Sequence, residues 1–189
     1  LKAKHKINQK KLVPRSKFLK SMNKIFFDKD ILFVGTTGNT AREMYSFMPN
    51  TNNFYMAGNM GGALSVGYGA AKSGKKVIVC GGDAEFVMHM GGLTTVGRDS
   101  KNVNLTYVVF DNEQNKSTGG QNTYQNHLDY INIAKSSGFS TGLGAIISLS
   151  DFESEIININ GLKFLYVKCG VDAEVERPPL DIVKLNKFT

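Results

Sequence analysis

The stretch KVIVCGGDAEF, Lys76 to Phe86, moves from a short apolar run through two glycines into an aspartate, and then into residues that suit a helix. Val77, Ile78 and Val79 follow one another without polar interruption, as in a strand covered on both faces. Gly81 and Gly82 close the strand, and Asp83 opens the next element. A carboxylate at the mouth of a buried strand is either a helix cap or a ligand.

Working outward, the same unit recurs. ILFVG (31–35) is a strand, TGNTAREMYSF (37–47) a loop and helix, NFYMAG (53–58) a short strand, and GGALSVGYGAAKSG (61–74) a small-residue helix. Beyond Phe86 the pattern predicts one helix in AEFVMHMGGL (84–93), a strand in NLTYVVFD (104–111), and a helix in QNHLDYINIAKSSG (125–138). A short strand near FSTGLGA (139–145), a helix from Ser150 with a Ser150/Glu153 capping box, and the strand LKFLYVKC (162–169) complete the series. Before it, Phe18, Leu19, Met22, Ile25 and Phe26 form one helical face behind Pro14. Alternating strands and helices predict a doubly wound α/β fold, a mostly parallel sheet with helices on both faces. Residues 1–12 read as a linker or tail and residues 13–189 as a single domain, with an extended stretch around Pro178 and Pro179.

With 41% hydrophobic and 21% charged residues among 189, the chain falls in the ordinary globular class, and no apolar run is long enough to span a membrane. A cytoplasmic location is the default expectation. Residues 1–27 carry nine Lys or Arg and no acid, so the rest holds 14 cations against 16 anions. The basicity thus belongs to the leader, without interleaved aromatics, and argues against a nucleic-acid partner. Cys80 and Cys169 lack metal or redox spacing and read as buried thiols. His89 reads as a helix residue near the core.

Four small-residue loops follow strands: GTTGNT (35–40), AGNMGG (57–62), GGDAEF (81–86) and DNEQNKSTGGQ (111–121). In an open parallel sheet these share the carboxyl edge, where ligands bind. Glycines admit an anion close to the backbone, and helix starts offer unpaired N–H groups to phosphate. Asn112 stands 29 positions after Asp83, enough to leave one strand, traverse a helix and return beside it. Two hard oxygen donors then meet, as Mg²⁺ requires, without histidine or cysteine.

GGDAEFVMHMGGL followed by NLTYVVFDNEQNKSTGGQ resembles the two-part signature of thiamine-diphosphate enzymes, nearest to the phosphonopyruvate and sulfopyruvate decarboxylase branch. The likeness extends over most of residues 14–180. It implies thiamine diphosphate and Mg²⁺ as cofactors and a small 2-oxo acid as substrate. Asp83, the Asn112 side chain and the Gln114 main-chain carbonyl would ligate the metal. Thr37 and Asn39 would line the diphosphate end, and the amides of Ala84 and Glu85 would reach the diphosphate. The Gly58 carbonyl would accept from the pyrimidine amino group, Met60 would wedge the cofactor into a bent shape, and Thr118 and Gln121 would face the reacting carbon.

The resemblance also implies a separate pyrimidine-binding domain or subunit that supplies the activating glutamate, and a homo-oligomer with the site between chains. No such domain is visible in this chain, so as an isolated domain it is expected to be inactive. Three residues depart from the family pattern. Ala84 replaces a glycine and needs negative φ; Glu85 replaces a small residue and Glu113 a glycine. Two added carboxylates repel a diphosphate unless they aim at solvent or at the metal. The alternatives are a sulfopyruvate decarboxylase subunit, a non-catalytic cofactor-binding remnant, a carboligase, and a plain nucleotide-binding domain.

Overall fold

The computed structural model describes residues 12–49, 51–99, 101–142, 144–171, 175, 177 and 178. Residues 1–11 of the expected linker and most of the stretch around Pro178 and Pro179 lie outside the described residues. Chain order is α1 (Arg15–Ile25), β1 (Leu32–Gly35), α2 (Asn39–Phe47), β2 (Asn52–Tyr55), α3 (Ala63–Lys72), β3 (Lys76–Gly82), α4 (Asp83–Met88) and α5 (Gly92–Gly97). There follow β4 (Asn104–Asp111), β5 (Gln114–Asn115), β6 (Gln121–Asn122), α6 (Tyr130–Ser136), β7 (Ser140–Thr141), α7 (Leu149–Ile156) and β8 (Leu162–Lys168). Six strands form one sheet in the order β2-β1-β3-β4-β8-β7, with every neighbouring pair parallel. The doubly wound α/β expectation therefore holds.

The central strands read as continuous apolar runs because both of their faces are buried. Ile78 and Cys80 of β3, with Val108 and Phe110 of β4, join Phe18, Met22 and Phe152 in one core. Val77 and Val79, with Leu105, Tyr107 and Val109, join Phe86, Leu93 and Tyr130 in the other. The period-two alternation thus divides each strand between two apolar layers. The small residues of α3 bring it close to the sheet, since a Cβ on Gly67 would run into Val79. Both cysteines are buried and free, as expected.

Two helix expectations need correction. The segment 84–93 is not one helix: α4 ends at Met88 and α5 begins at Gly92. His89 closes α4, is exposed rather than near the core, and lies beside Gly92, where a Cβ would strike its ring. The cap of α7 lies two residues earlier than the capping box suggested. Ser148, not Ser150, accepts the N–H of Asp151, at 3.2 Å.

The strand order reverses between β1 and β3, so the loops after them diverge and open a crevice at the carboxyl edge. Among the described residues no helix is long and apolar enough to cross a membrane.

Candidate metal and diphosphate site

A narrow cavity of about 40 Å³ lies in this crevice. Its lining draws Thr36, Thr37 and Asn39 from the β1–α2 connection, Met60 from the loop before α3, Gly82–Glu85 from the end of β3, and Asn112 and Gln114–Ser117 from the turn after β4. Arg15 and Thr40 complete it. Eight of the sequence-predicted residues therefore meet here: Thr37, Asn39, Met60, Asp83, Ala84, Glu85, Asn112 and Gln114. Gly58, Thr118 and Gln121 are not among the lining residues. Gly58 is exposed with φ +70, while Thr118 and Gln121 are exposed and bonded to each other, Oγ1 to Oε1 at 2.9 Å. A larger groove, about 750 Å³, sits at the opposite, amino edge among Phe26, Lys29, Ile31 and Lys75, and holds none of the predicted residues.

Register explains why the two halves of the signature meet. Gly82 of β3 pairs with Phe110 of β4, so Asp83 and Asn112 emerge from adjacent strand tips. Both are buried, 3% and 5% exposed. Burial, and then the Asp111 carboxylate, push Asp83 up to about 7, against the pull of Thr123 and of the backbone amides of Asp83 and Ala84. Asn112 Oδ1 accepts the Gln114 N–H at 3.1 Å, which orients the amide oxygen.

The hairpin formed by β5 and β6 was not foreseen from sequence, and it sets the direction of the Gln114 carbonyl. Thr123 N–H bonds the Glu113 carbonyl at 3.1 Å, and Gln114 pairs with Asn122. Alternation along an antiparallel ladder then turns the Gln114 carbonyl away from β6.

The three departures from the family pattern are accommodated locally. Ala84 lies inside α4 and is not among the residues with positive φ. Glu85 is buried, although it belongs to the cavity lining. Its Oε2 accepts from Gly82 N–H and Tyr107 OH, each at 3.3 Å, beneath the sheet edge. A Cβ on Gly81 would collide with both groups, so the glycine makes room for this carboxylate. Burial pushes Glu85 up to about 7, while the Gly82 amide, Tyr107 and Thr36 pull it back. Thr36 lies near enough for that influence, yet its hydroxyl and Glu85 Oε1 remain buried without a hydrogen bond. Glu113 does adopt the left-handed backbone of a glycine position, φ +57, and its carboxylate pairs with Lys168 at 3.0 Å.

Arg15, counted with the basic leader from sequence, instead lies in the core at 6% exposure and bonds Glu43 through Nε (2.8 Å) and Nη2 (2.6 Å). Its Nη1 also donates to Thr40 at 3.1 Å, which docks α1 on the helix that follows the Thr36–Gly38 loop. Sequence reasoning missed Arg15, Thr36 and Thr123. An Arg in register with the apolar helix face of Phe18, Leu19 and Met22 was the only signal, and it pointed to Arg15 alone.

The donor chemistry fits a hard divalent cation. The lining offers carboxylate, amide and main-chain oxygens and no imidazole or thiol, and its volume has room for an ion but not for a diphosphate. Among the described residues no group of three His, Cys, Asp or Glu is placed to hold a metal ion.

The fold is a doubly wound α/β domain with a polar cavity at its carboxyl edge, and sequence comparison gives its family. Residues 34–157 match the family described as thiamine pyrophosphate enzyme, C-terminal TPP binding domain, and the chain belongs to it. It is 36% identical over 129 residues to phosphonopyruvate decarboxylase of Streptomyces viridochromogenes, covering 68% of this chain and 32% of that protein. It is 37% identical over 133 residues to sulfopyruvate decarboxylase subunit beta of Methanocaldococcus jannaschii, covering 69% of each. The chain thus spans about a third of the Streptomyces protein. The fold also matches benzoylformate decarboxylase of Polynucleobacter necessarius, with TM-score 0.66, 18% identity, and 90% and 35% of the two chains covered.

Proposed function

We propose that this chain is the diphosphate- and metal-binding domain of a thiamine-diphosphate- and Mg²⁺-dependent decarboxylase acting on a 2-oxo acid with a terminal anion, phosphonopyruvate first. The observation that carries this reading is the meeting of Asp83 and Asn112, from the tips of adjacent parallel strands, with Gln114 of the β5–β6 hairpin in a cavity also lined by Thr37, Asn39 and Met60. Asp83, the Asn112 amide oxygen and the Gln114 carbonyl would hold the metal. Thr37, Asn39 and the backbone at Ala84 and Glu85 would meet the diphosphate. Gly58 would accept from the pyrimidine amino group, and Met60 would press the bound cofactor into its bent shape. When bound, the cofactor supplies the electron sink for loss of carbon dioxide.

Thr118 and Gln121 would approach the reacting carbon only from the rim, because, unlike Lys116 and Ser117 just before them, they lie outside the cavity lining. A pyrimidine-binding domain or subunit and a second copy of the chain would close the site over them. Exposed Val66, Val87, Met88 and Met90, on α3, on α4 and just beyond it, support such an assembly.

A sulfopyruvate decarboxylase subunit is the second reading, favoured by the beta subunit of which the chain covers 69%. Carbon dioxide release by the enzyme assembled with its pyrimidine-binding partner, thiamine diphosphate and Mg²⁺ separates the two. Turnover of phosphonopyruvate is expected. Turnover of sulfopyruvate alone reverses the order, and turnover of neither, with cofactor bound, supports a non-catalytic remnant.

A further inference from the structure

Thr123 touches both halves of the metal signature. Its hydroxyl donates to Asp83 Oδ2 at 2.6 Å, from a position 40 residues away in sequence. Its backbone N–H donates to the Glu113 carbonyl at 3.1 Å, immediately beside Asn112. The next residue, Tyr124, has φ +53 and its N–H bonds Asn122 Oδ1 at 2.7 Å. That turn carries the chain away after Thr123, whose half-buried side chain stays facing the end of β3.

We propose that Thr123 is a positioning residue that orients the Asp83 carboxylate for the divalent ion and ties the 116–121 hairpin turn to the metal site. With Oδ2 held by the hydroxyl, Oδ1 is the oxygen presented to the metal, and the carboxylate cannot rotate freely about its terminal torsion. The same residue directly follows the return strand β6, which opens at Gln121 just after the turn that carries Thr118. Displacing the hairpin therefore pulls on Asp83, and losing the Asp83 contact loosens the open end of the hairpin that Thr123 closes against Glu113. The proposal rests on the metal-site reading above and adds a link between that site and the turn nearest the substrate.

Free Mn²⁺ followed by electron paramagnetic resonance, with thiamine diphosphate and the assembled enzyme, tests the link. Thr123→Val keeps the shape and removes the donor; it is expected to weaken Mn²⁺ binding by roughly 10-fold or more. Thr123→Ser keeps the hydroxyl and should restore affinity to within about 2-fold of the parent. Thr123→Ala is a second way to remove the donor should valine not be accommodated. Amide hydrogen exchange, with no metal or cofactor present, is expected to quicken over residues 114–122 in the valine and alanine variants and not in the serine variant.

Parent-like Mn²⁺ affinity in Thr123→Val or Thr123→Ala overturns the orienting role. Unchanged exchange over 114–122 overturns the tie to the turn, whatever the metal does. If the parent enzyme takes up no Mn²⁺, the metal-site reading fails and the orienting role fails with it.

Discussion

Lys168, the last residue of β8, places its ammonium 3.0 Å from Glu113 Oε1 and 3.6 Å from Asp111 Oδ2. The pair spans the strand end and the turn that carries Asn112, so a carboxylate at a family glycine position is neutralised instead of facing a diphosphate. Burial alone would lower the Lys168 pKa, but Glu113 and Asp111 more than offset it and keep the ammonium charged. Asp111 is itself held by Tyr166 OH and accepts the Glu113 N–H at 2.9 Å, so the turn is braced from two sides.

Lys168→Met should therefore cost about 1–2 kcal/mol in urea unfolding, since it removes the cation facing the buried Asp111 and part-buried Glu113 carboxylates. Glu113→Gly should relieve roughly 1 kcal/mol of left-handed strain and recover part of that loss in the double variant. Equal stability of Lys168→Met and the parent would remove the bracing role.

Glu85 gives the protein a distinct pH dependence. Its folded-state value is pushed up to about 7 from an ordinary 4.5 by burial, so the folded form binds more protons than the unfolded form between those values. Stability contributed by this group is complete below about 4.5 and is lost as pH rises toward 7. Glu85→Gln removes that loss: its melting temperature should exceed the parent's by roughly 3–6 °C at pH 8 and converge with it near pH 4.5. Parallel curves would contradict the assignment.

The Arg15–Glu43 pair is buried on both sides, 6% and 3% exposed. Arg15→Met strands the Glu43 carboxylate in the core and should cost about 3–5 kcal/mol, whereas Arg15→Met with Glu43→Leu should recover most of it. Thermal or urea unfolding reads both. A small loss in the single variant would mean that water reaches Glu43.

Fold and site were legible in sequence to different depths. The apolar runs at 77–80 and 105–110 and the glycine-rich loops after them fix a parallel sheet and its binding edge, because both signals are local. The pairing of Asp83 with Asn112 followed from spacing and from the family resemblance. Thr123 was invisible, because its contact with Asp83 depends on a hairpin whose two-residue strands are too short to leave a periodic pattern. Arg15 was misread because a charge count does not register burial. The split at His89 escaped because Gly91 and Gly92 weaken a helix without always ending one.

Asp83→Asn tests the cofactor site without a large folding cost, since the amide can still accept from Thr123. In the assembled parent enzyme, thiamine diphosphate with Mg²⁺ at about a hundredfold excess over Kd should raise the melting temperature by roughly 5–10 °C. Asp83→Asn should show little of that rise while its ligand-free melting temperature stays at or above the parent's.

The central claim is that the Asp83 carboxylate and the Asn112 amide oxygen share one divalent ion. The most direct measurement is an anomalous difference map from crystals of the assembled enzyme grown with thiamine diphosphate and Mn²⁺. One peak is predicted within about 2.0–2.3 Å of Asp83, Asn112 Oδ1 and the Gln114 carbonyl. Bound cofactor with the peak elsewhere, or with either side chain turned away from it, would contradict the account.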